Sequence, residues 1–518
     1  MTVIASSSGE AEKFMTDLQF FAGDFDWPVV YFPPYNILPY KFLSYHNEIS
    51  GQRLRALFQI LESPPGSAPL IVTTAGAVIQ KVIPRQVLSD FAELVMENED
   101  IERDRLIEKL ASGGYEHCAL VEEPGDYSVR GGIIDIFSPL YENPLRIELF
   151  GDTVDSLRFF SAENQRTLGR VSDAVILPAR ETVLNQSDLT EIIARIRARG
   201  SRMEVPVTQV REIVDRLKNE GVFPGIESLM PMIYPEPDTF MDYVPKNTLY
   251  IQLEPSDLEK AADEIHEQAE HNFSALQEQK NLGADPESQF LDWKEVAETL
   301  SKKMPLELRS LSVEKPEEKN EKRVVFHFKT ADNSDLAGEL QSRKDTERLL
   351  SPLAEWIREK QNARMTTLLV CATRSQGKRL DSLLQPYGIG TEIMEGFGTK
   401  QVFSRKSGSD ADVFLCLGEV SSGFVWPEES LAIVTETEIF GARGRRRKLV
   451  PSKIRSQFLS FDELQQGDLV VHGEHGIGRY EGLFKLQLDG VTGDFLQIQY
   501  KGEDKLYLPV DRMSMIQK

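Results

Sequence analysis

The chain has 518 residues, too many for one hydrophobic core, so several domains are expected. Its 41% hydrophobic and 27% charged residues describe a globular protein; with no apolar run of membrane-spanning length and no basic-then-apolar leader, a cytoplasmic chain without a membrane segment is expected. A net charge of −23 repels a phosphate backbone, which argues against DNA tracking by this chain and for protein partners.

Residues 1–112 alternate strand and helix. Buried-strand runs at 3–5, 29–32 and 71–74, with helical periodicity at 10–21 and 49–61, predict a parallel α/β sheet. From 113 to 171 the period becomes two. Runs at 127–130, 133–137, 145–150 and 154–160, separated by Gly131-Gly132, the 139–144 turn and Gly151-Asp152, predict a β-rich insertion. Residues 172–345 return to α/β, with a strand at 249–253, charged helices at 257–279 and 292–303, and a solvated connection at 312–322.

Residues 346–455 read as a small α/β domain with strands at 367–372, 412–417 and 431–435. It ends in the basic cluster 443–448, either a linker or a DNA contact. Residues 456–518 carry five short β runs between Gly and Asp turns, at 469–472, 478–486, 495–500, 505–508 and a weak last one. That spacing predicts a small Tudor- or SH3-like barrel, a fold that grips macromolecules more often than it performs chemistry. Within it Gly476 and Gly478 supply backbone freedom at a bend, and Tyr480 and Tyr507 are expected to pack.

The motifs that would carry chemistry are incomplete. A phosphate loop needs an upstream glycine, a Lys and a Ser or Thr for magnesium. At Gly377-Lys378 the upstream position is Ala372 and Arg379 follows, so a surface loop is expected. Asp263-Glu264-Ile265-His266 spells a helicase-like sequence but lies in a helical pattern, not at a strand end. The strand at 249–253 ends in one carboxylate, Glu254, before Pro255. His266 and His271 are five apart and fall on different helix faces, and His472 and His475 have no third ligand nearby; all four read as structural. Cys118, Cys371 and Cys416 are scattered through apolar runs and read as buried free thiols. No cofactor or metal is expected.

The 145–150 strand says more. Leu145, Ile147 and Leu149 must face the core, which pushes Arg146, Glu148 and Phe150 outward; Arg130 ends the preceding strand and can join that face. An exposed aromatic among arginines has the composition of an interface hot spot. The alternative is that Phe150 packs under a loop while the arginines form ordinary surface ion pairs.

The run Val-Val-His-Gly-Glu-His-Gly-Ile-Gly-Arg-Tyr-Glu-Gly-Leu at 470–483, followed by Lys-Leu-Tyr-Leu-Pro-Val at 505–510, resembles the RNA polymerase-interacting domain of the bacterial transcription-repair-coupling factors. The segment from Phe32 to Leu54 resembles their UvrB-homology domain 1, and the β-rich insertion resembles UvrB domain 2. The resemblance implies a multidomain α/β chain in five parts. These are a degenerate RecA-like UvrB-homology module (1–112 and 172–345), a UvrA-binding insertion (113–171), a small D3-like domain with a basic linker (346–455) and a CarD/Tudor-like barrel (456–518).

The resemblance also implies that a helix and a degenerate phosphate loop precede the strand at Val3, and that an ATP- and magnesium-dependent DNA translocase follows the barrel. The chain is thus expected to be a truncated, non-catalytic adaptor that touches DNA only through that motor. Lacking the family's C-terminal cover, it is expected to bind UvrA constitutively. Implied UvrA contacts are Arg130, Arg146 and Phe150; implied contacts to the polymerase β subunit are Leu483, Leu486 and Leu488. A stand-alone CarD-like polymerase regulator and a working UvrB-like ATPase are the competing readings.

Overall fold

The computed structural model describes residues 1–22, 28–35, 40, 47–64, 68–223, 225–310, 324–342, 350–398, 413–441, 466–472, 476–488, 491–500, 504–509 and 516–517. The 312–322 connection, the 443–448 basic cluster, residues 36–39 and His475 lie outside the described residues. Two compact units form, one of Met1–Ser8, Val29–Arg309 and Arg455–Lys518, the other of Gly9–Pro28 and Ser310–Ile454.

The first unit holds a five-stranded parallel sheet in the order Leu306–Leu308, Tyr250–Leu253, Thr2–Ala5, Leu70–Thr74, Val29–Phe32. Its central strands Thr2–Ala5 and Leu70–Thr74 are buried along their whole length, as strands covered on both faces must be. Helix Asn47–Leu61 sets Leu54 and Leu57 into the same core as Phe32 and Ile71. Helix Pro255–Glu278 buries Leu258, Ala262 and Ala269 on its inner side. It comes so close that a Cβ on Gly76 would lie 2.6 Å from Ile265 Cδ1. The Asp263–His266 stretch is helix interior, as its pattern predicts, and His266 Nε2 hydrogen-bonds the Leu291 carbonyl at 2.7 Å, a structural role.

A β-rich lobe is inserted into this unit. The antiparallel pair Glu93–Met96 and Asp173–Ile176 carries the chain in and out. Between them lies a six-stranded sheet in the order Thr167–Val171, Thr153–Phe160, Leu145–Phe150, Ile133–Ile136, Asp126–Arg130, Glu116–His117. All neighbours are antiparallel except the last pair. Ile134, Ile136, Leu145, Ile147 and Leu157 share a core with Val95, Leu106, Leu110, Ala174 and Ile176. The lobe therefore extends on both sides of the 113–171 span expected from the sequence and takes in helix Arg103–Ser112. Leu106 and Leu110 form the same apolar stripe whichever sheet they cover, so periodicity alone cannot set that boundary.

The lobe is tied to helix Asn47–Leu61. Arg55 donates from Nε and Nη2 to the Pro139 carbonyl at 2.9 and 2.6 Å, and a Cβ on Gly51 would stand 3.1 Å from Pro139 Cβ. Nearby, the buried Arg53 donates to Glu181 at 2.5 Å and lies over the rings of Phe32 and Tyr35. A buried guanidinium with an acceptor on one side and π faces on the other is compensated for the water it loses.

The C-terminal segment of the first unit is a five-stranded antiparallel sheet in the order Lys505–Pro509, Val491–Gln499, Gly476–Leu488, Leu469–His472, Ile516–Gln517. Val470, Tyr480, Leu496, Ile498, Leu508 and Ile516 form its core. All five expected strands are present. Gly476 adopts φ 75°, the freedom expected of it. Gly478 is required for a different reason, since a Cβ there would lie 2.3 Å from Ile498 Cγ2. Tyr480 packs as expected, but Tyr507 is part-exposed instead, because it alternates with the buried Leu508.

The second unit has its own sheet in the order Glu392–Glu395, Val413–Leu417, Thr366–Cys371, Leu431–Thr435, Phe424–Trp426, parallel except for the last strand. One face packs Leu369, Cys371, Leu415 and Val434 against residues of helices Ser351–Asn362 and Arg374–Leu384. The other packs Leu368, Val370, Phe414, Cys416 and Ile433 against Phe20 and Phe21. Those phenylalanines end helix Ser8–Phe21, which the sequence reading grouped with residues 1–112. Asp17 of this helix accepts from Ser421 N and Oγ, both at 2.6 Å. Amphipathicity tells which face of a helix is buried, not which sheet it covers. Gly377-Lys378, expected in a surface loop, is also corrected: it lies inside helix Arg374–Leu384, where Gly377 N donates to Thr373 O at 3.0 Å.

Candidate docking surfaces

Alternation in the Leu145–Phe150 strand follows the expected pattern, with Leu145 and Ile147 fully buried and Phe150 83% exposed. No loop covers that ring, so the reading in which it packs is set aside. The arginines do make ion pairs, and their geometry is specific. Asp135, only 1% exposed and directly opposite Arg146 on the neighbouring strand, accepts from Arg146 Nε at 2.6 Å and Nη2 at 2.8 Å. The same carboxylate accepts from Arg130 Nη2 at 2.8 Å. Arg146 also lies 4.6 Å over the buried Phe160 ring.

This fork-on-carboxylate arrangement raises the Arg146 pKa, chiefly through the Asp135 hydrogen bond, so its charge is fixed at any working pH. Two residues along, the Glu148 carboxyl is held below its usual range, first by the Ser156 hydroxyl and then by Arg158. The structure thus brings Arg130, Arg146 and Phe150 onto one face. Asp135, which holds both arginines in place, was not singled out from sequence. Its only signal is a lone acid in the otherwise apolar run 133–137.

In the terminal sheet the three leucines expected as contacts do not share one strand parity. Strand pairing sets Leu483 opposite the buried Leu496, whereas Phe484 pairs with Phe495, and positions 486 and 488 fall in step with 484. Strand parity therefore separates position 483 from 486 and 488. The side chains of Leu486, Leu488 and His472 lie outside the described residues. Leu483 and Phe484 are part-exposed, and Leu469, Val471 and Ile477 form an exposed apolar group opposite the Val470 side of their hairpin. Phe484, exposed and on the same parity as Leu486, was not singled out from the sequence.

The positions that would support chemistry are as follows. Glu254 caps the start of helix Pro255–Glu278 with φ 44°, one carboxylate at the end of a buried strand. Among the described residues, no group of three or more His, Cys, Asp or Glu could hold a metal ion. All three cysteines are free thiols, Cys371 and Cys416 buried as expected but Cys118 only half-buried, on the open stretch that follows strand Glu116–His117. Burial pushes Cys371 and Cys416 up to about 12 and Cys118 to about 11, which leaves them protonated and unreactive near neutrality. No described helix is long and apolar enough to cross a membrane.

Comparison with known proteins falls on the same two regions. Residues 94–181 match the UvrB interaction domain family, and residues 464–518 match the CarD-like/TRCF RID domain family. Along its whole length the chain is 33% identical over 527 residues to the transcription-repair-coupling factor of Myxococcus xanthus, covering 43% of that protein. It is 29% identical to the factor of Bacillus subtilis, with 98% of this chain and 42% of the relative aligned. It is also 29% identical to that of Escherichia coli, with 95% and 41% aligned. The resemblance drawn from the sequence is thereby borne out. The chain spans less than half the length of the curated relatives it matches.

Proposed function

We propose, from this kinship along the whole chain with the transcription-repair-coupling factors, that these 518 residues act as a docking scaffold in transcription-coupled nucleotide-excision repair. The terminal sheet, read as a CarD/Tudor-like barrel, engages RNA polymerase through its β subunit, with the Gly476–Leu488 strand and Leu483, Leu486 and Leu488 as contacts. The lobe recruits UvrA through Arg130, Arg146 and Phe150. The carrying observation is the ring of Phe150, exposed in a lobe that matches the UvrB interaction domain and set beside an arginine fixed on buried Asp135.

The domain reading keeps a degenerate RecA-like UvrB-homology module split by the lobe, a small D3-like α/β domain and the terminal barrel. The ATP- and magnesium-dependent movement on DNA that the family implies is not assigned to these residues. Its support is that the one Gly-Lys step in a strand-to-helix setting lies within a helix, and that Glu254 stands without an acidic neighbour in the chain. The chain is proposed to work in the cytoplasm.

Pull-down with purified UvrA and RNA polymerase tests the scaffold. The parent chain retains both partners, and Arg146→Ala and Phe150→Ala lose UvrA alone. Retention of UvrA by both variants at parental level would rule out the assigned site. Saturable binding of labelled ATP by the chain would revive the ATPase reading.

A further inference from the structure

Strand pairing in the lobe lines up a row of directly opposed residues across the sheet. Ser128 faces Asp135, Asp135 faces Arg146, Arg146 faces Arg158, and Arg158 faces Arg170. Directly opposed residues of an antiparallel pair point to the same side with Cβ atoms about 5 Å apart. Three consecutive arginines thus stand side by side on the face that also presents Phe150. Like charges placed directly opposite one another destabilise a sheet, so the side-by-side placement of the three arginines does not itself stabilise the fold.

The row is only partly neutralised. Asp135 serves Arg146 and Arg130, and Glu148 pairs with Arg158. Arg170 is exposed on the edge strand Thr167–Val171, beside the 58% exposed Leu168, and has no acidic partner among the described residues. Around this row four guanidinium groups, Arg130, Arg146, Arg158 and Arg170, meet two carboxylates, Asp135 and Glu148, so the strip itself is positive, although Asp126 and Glu116 lie further along the same face and the chain's net charge is −23. A positive, aromatic-bearing strip on an acidic body complements an acidic protein surface. The chain's overall charge of −23 repels the dense, extended charge of a nucleic-acid backbone more than it repels a local carboxylate patch.

We propose that the arginine row Arg146–Arg158–Arg170 is one continuous docking strip for a carboxylate-bearing surface of UvrA, so that the contact runs past Phe150 to the Thr167–Val171 edge. Arg146, anchored on Asp135, sets the register of the strip, and Arg170 supplies its uncommitted charge. This inference rests on the UvrA reading above and adds Arg158 and Arg170 to it.

Titration of UvrA onto the full chain tests it, with thermal unfolding as the folding control; Arg170 is exposed, so its variants keep the parental melting temperature. Arg170→Glu weakens UvrA binding about tenfold or more, Arg158→Gln about threefold, and Arg170→Lys stays within about twofold of the parent. If Arg170→Glu binds within twofold of the parent while Phe150→Ala is weakened, the strip is wrong and the UvrA reading stands. If the parent chain does not bind UvrA, both fall. Loss of a labelled DNA duplex from Arg170→Glu with UvrA binding intact would assign the row to nucleic acid and overturn the proposal.

Discussion

The lobe and the terminal sheet both expose large apolar side chains, but they hold them differently. In the lobe one aromatic, Phe150, stands out of a face that carries several arginines, two of them held by a buried carboxylate. In the terminal sheet the exposed set is larger and apolar, with Leu469, Val471, Ile477, Phe484 and Tyr507 spread over several strands. A pre-oriented charged face suits a contact chosen by electrostatic match, whereas a diffuse apolar face suits one driven by area. The two proposed partners should therefore respond differently to salt, to pH and to single substitutions.

Removing the carboxylate beneath the lobe's arginines strains the comparison most. Asp135→Ala leaves the partly buried Arg146 without its acceptor. It is expected to cost about 3 kcal/mol in unfolding experiments and to weaken UvrA more than about thirtyfold, with polymerase affinity unchanged. An equal loss of both partners would mean that the lobe and the terminal sheet are not separable.

The seat of the lobe on helix Asn47–Leu61 carries a pH signature. Burial raises the Glu48 carboxyl to about 7, with Glu123 of the lobe adding to the shift and Arg55 opposing it. A carboxyl whose folded pKa lies above its unfolded one contributes full stability below about 4.5 and loses it as pH rises towards about 7. Glu48→Gln should accordingly raise unfolding free energy at pH 8 by at most about 3 kcal/mol and change nothing at pH 4. A pH-independent effect would remove the burial argument.

Smaller effects separate the surfaces themselves. Phe150→Ala should weaken UvrA by about 2 kcal/mol, the size of an interface hot spot, without shifting the melting temperature. Raising sodium chloride from 50 to 300 mM should weaken the UvrA complex about tenfold and the polymerase complex by less than about threefold. Equal salt slopes would erase the contrast.

Much of this was legible in the sequence because it depends on local parity. Period-two alternation at 145–150 and the glycine-bounded runs after 467 each determine strand and face, so Phe150 and all five terminal strands were found. What escaped depends on distant packing. Helix Ser8–Phe21 covers the sheet of the second unit, and helix Arg103–Ser112 belongs to the lobe, because an apolar stripe does not specify its partner. Asp135 and Arg170 gain their meaning only from cross-strand register, which joins residues up to 35 positions apart, as in Asp135, Arg146, Arg158 and Arg170. Leu483, Leu486 and Leu488 were grouped by resemblance; strand pairing places 483 on the opposite parity to 486 and 488.

The scaffold claim is tested most directly by sequential binding. RNA polymerase is immobilised, the chain is loaded, and UvrA is then passed over it. The account predicts that the parent chain captures UvrA on the polymerase-bound surface, and that Phe150→Ala loads onto polymerase equally well but captures UvrA about thirtyfold more weakly. Capture of UvrA by Phe150→Ala at the parental level, or failure of that variant to load, would contradict it.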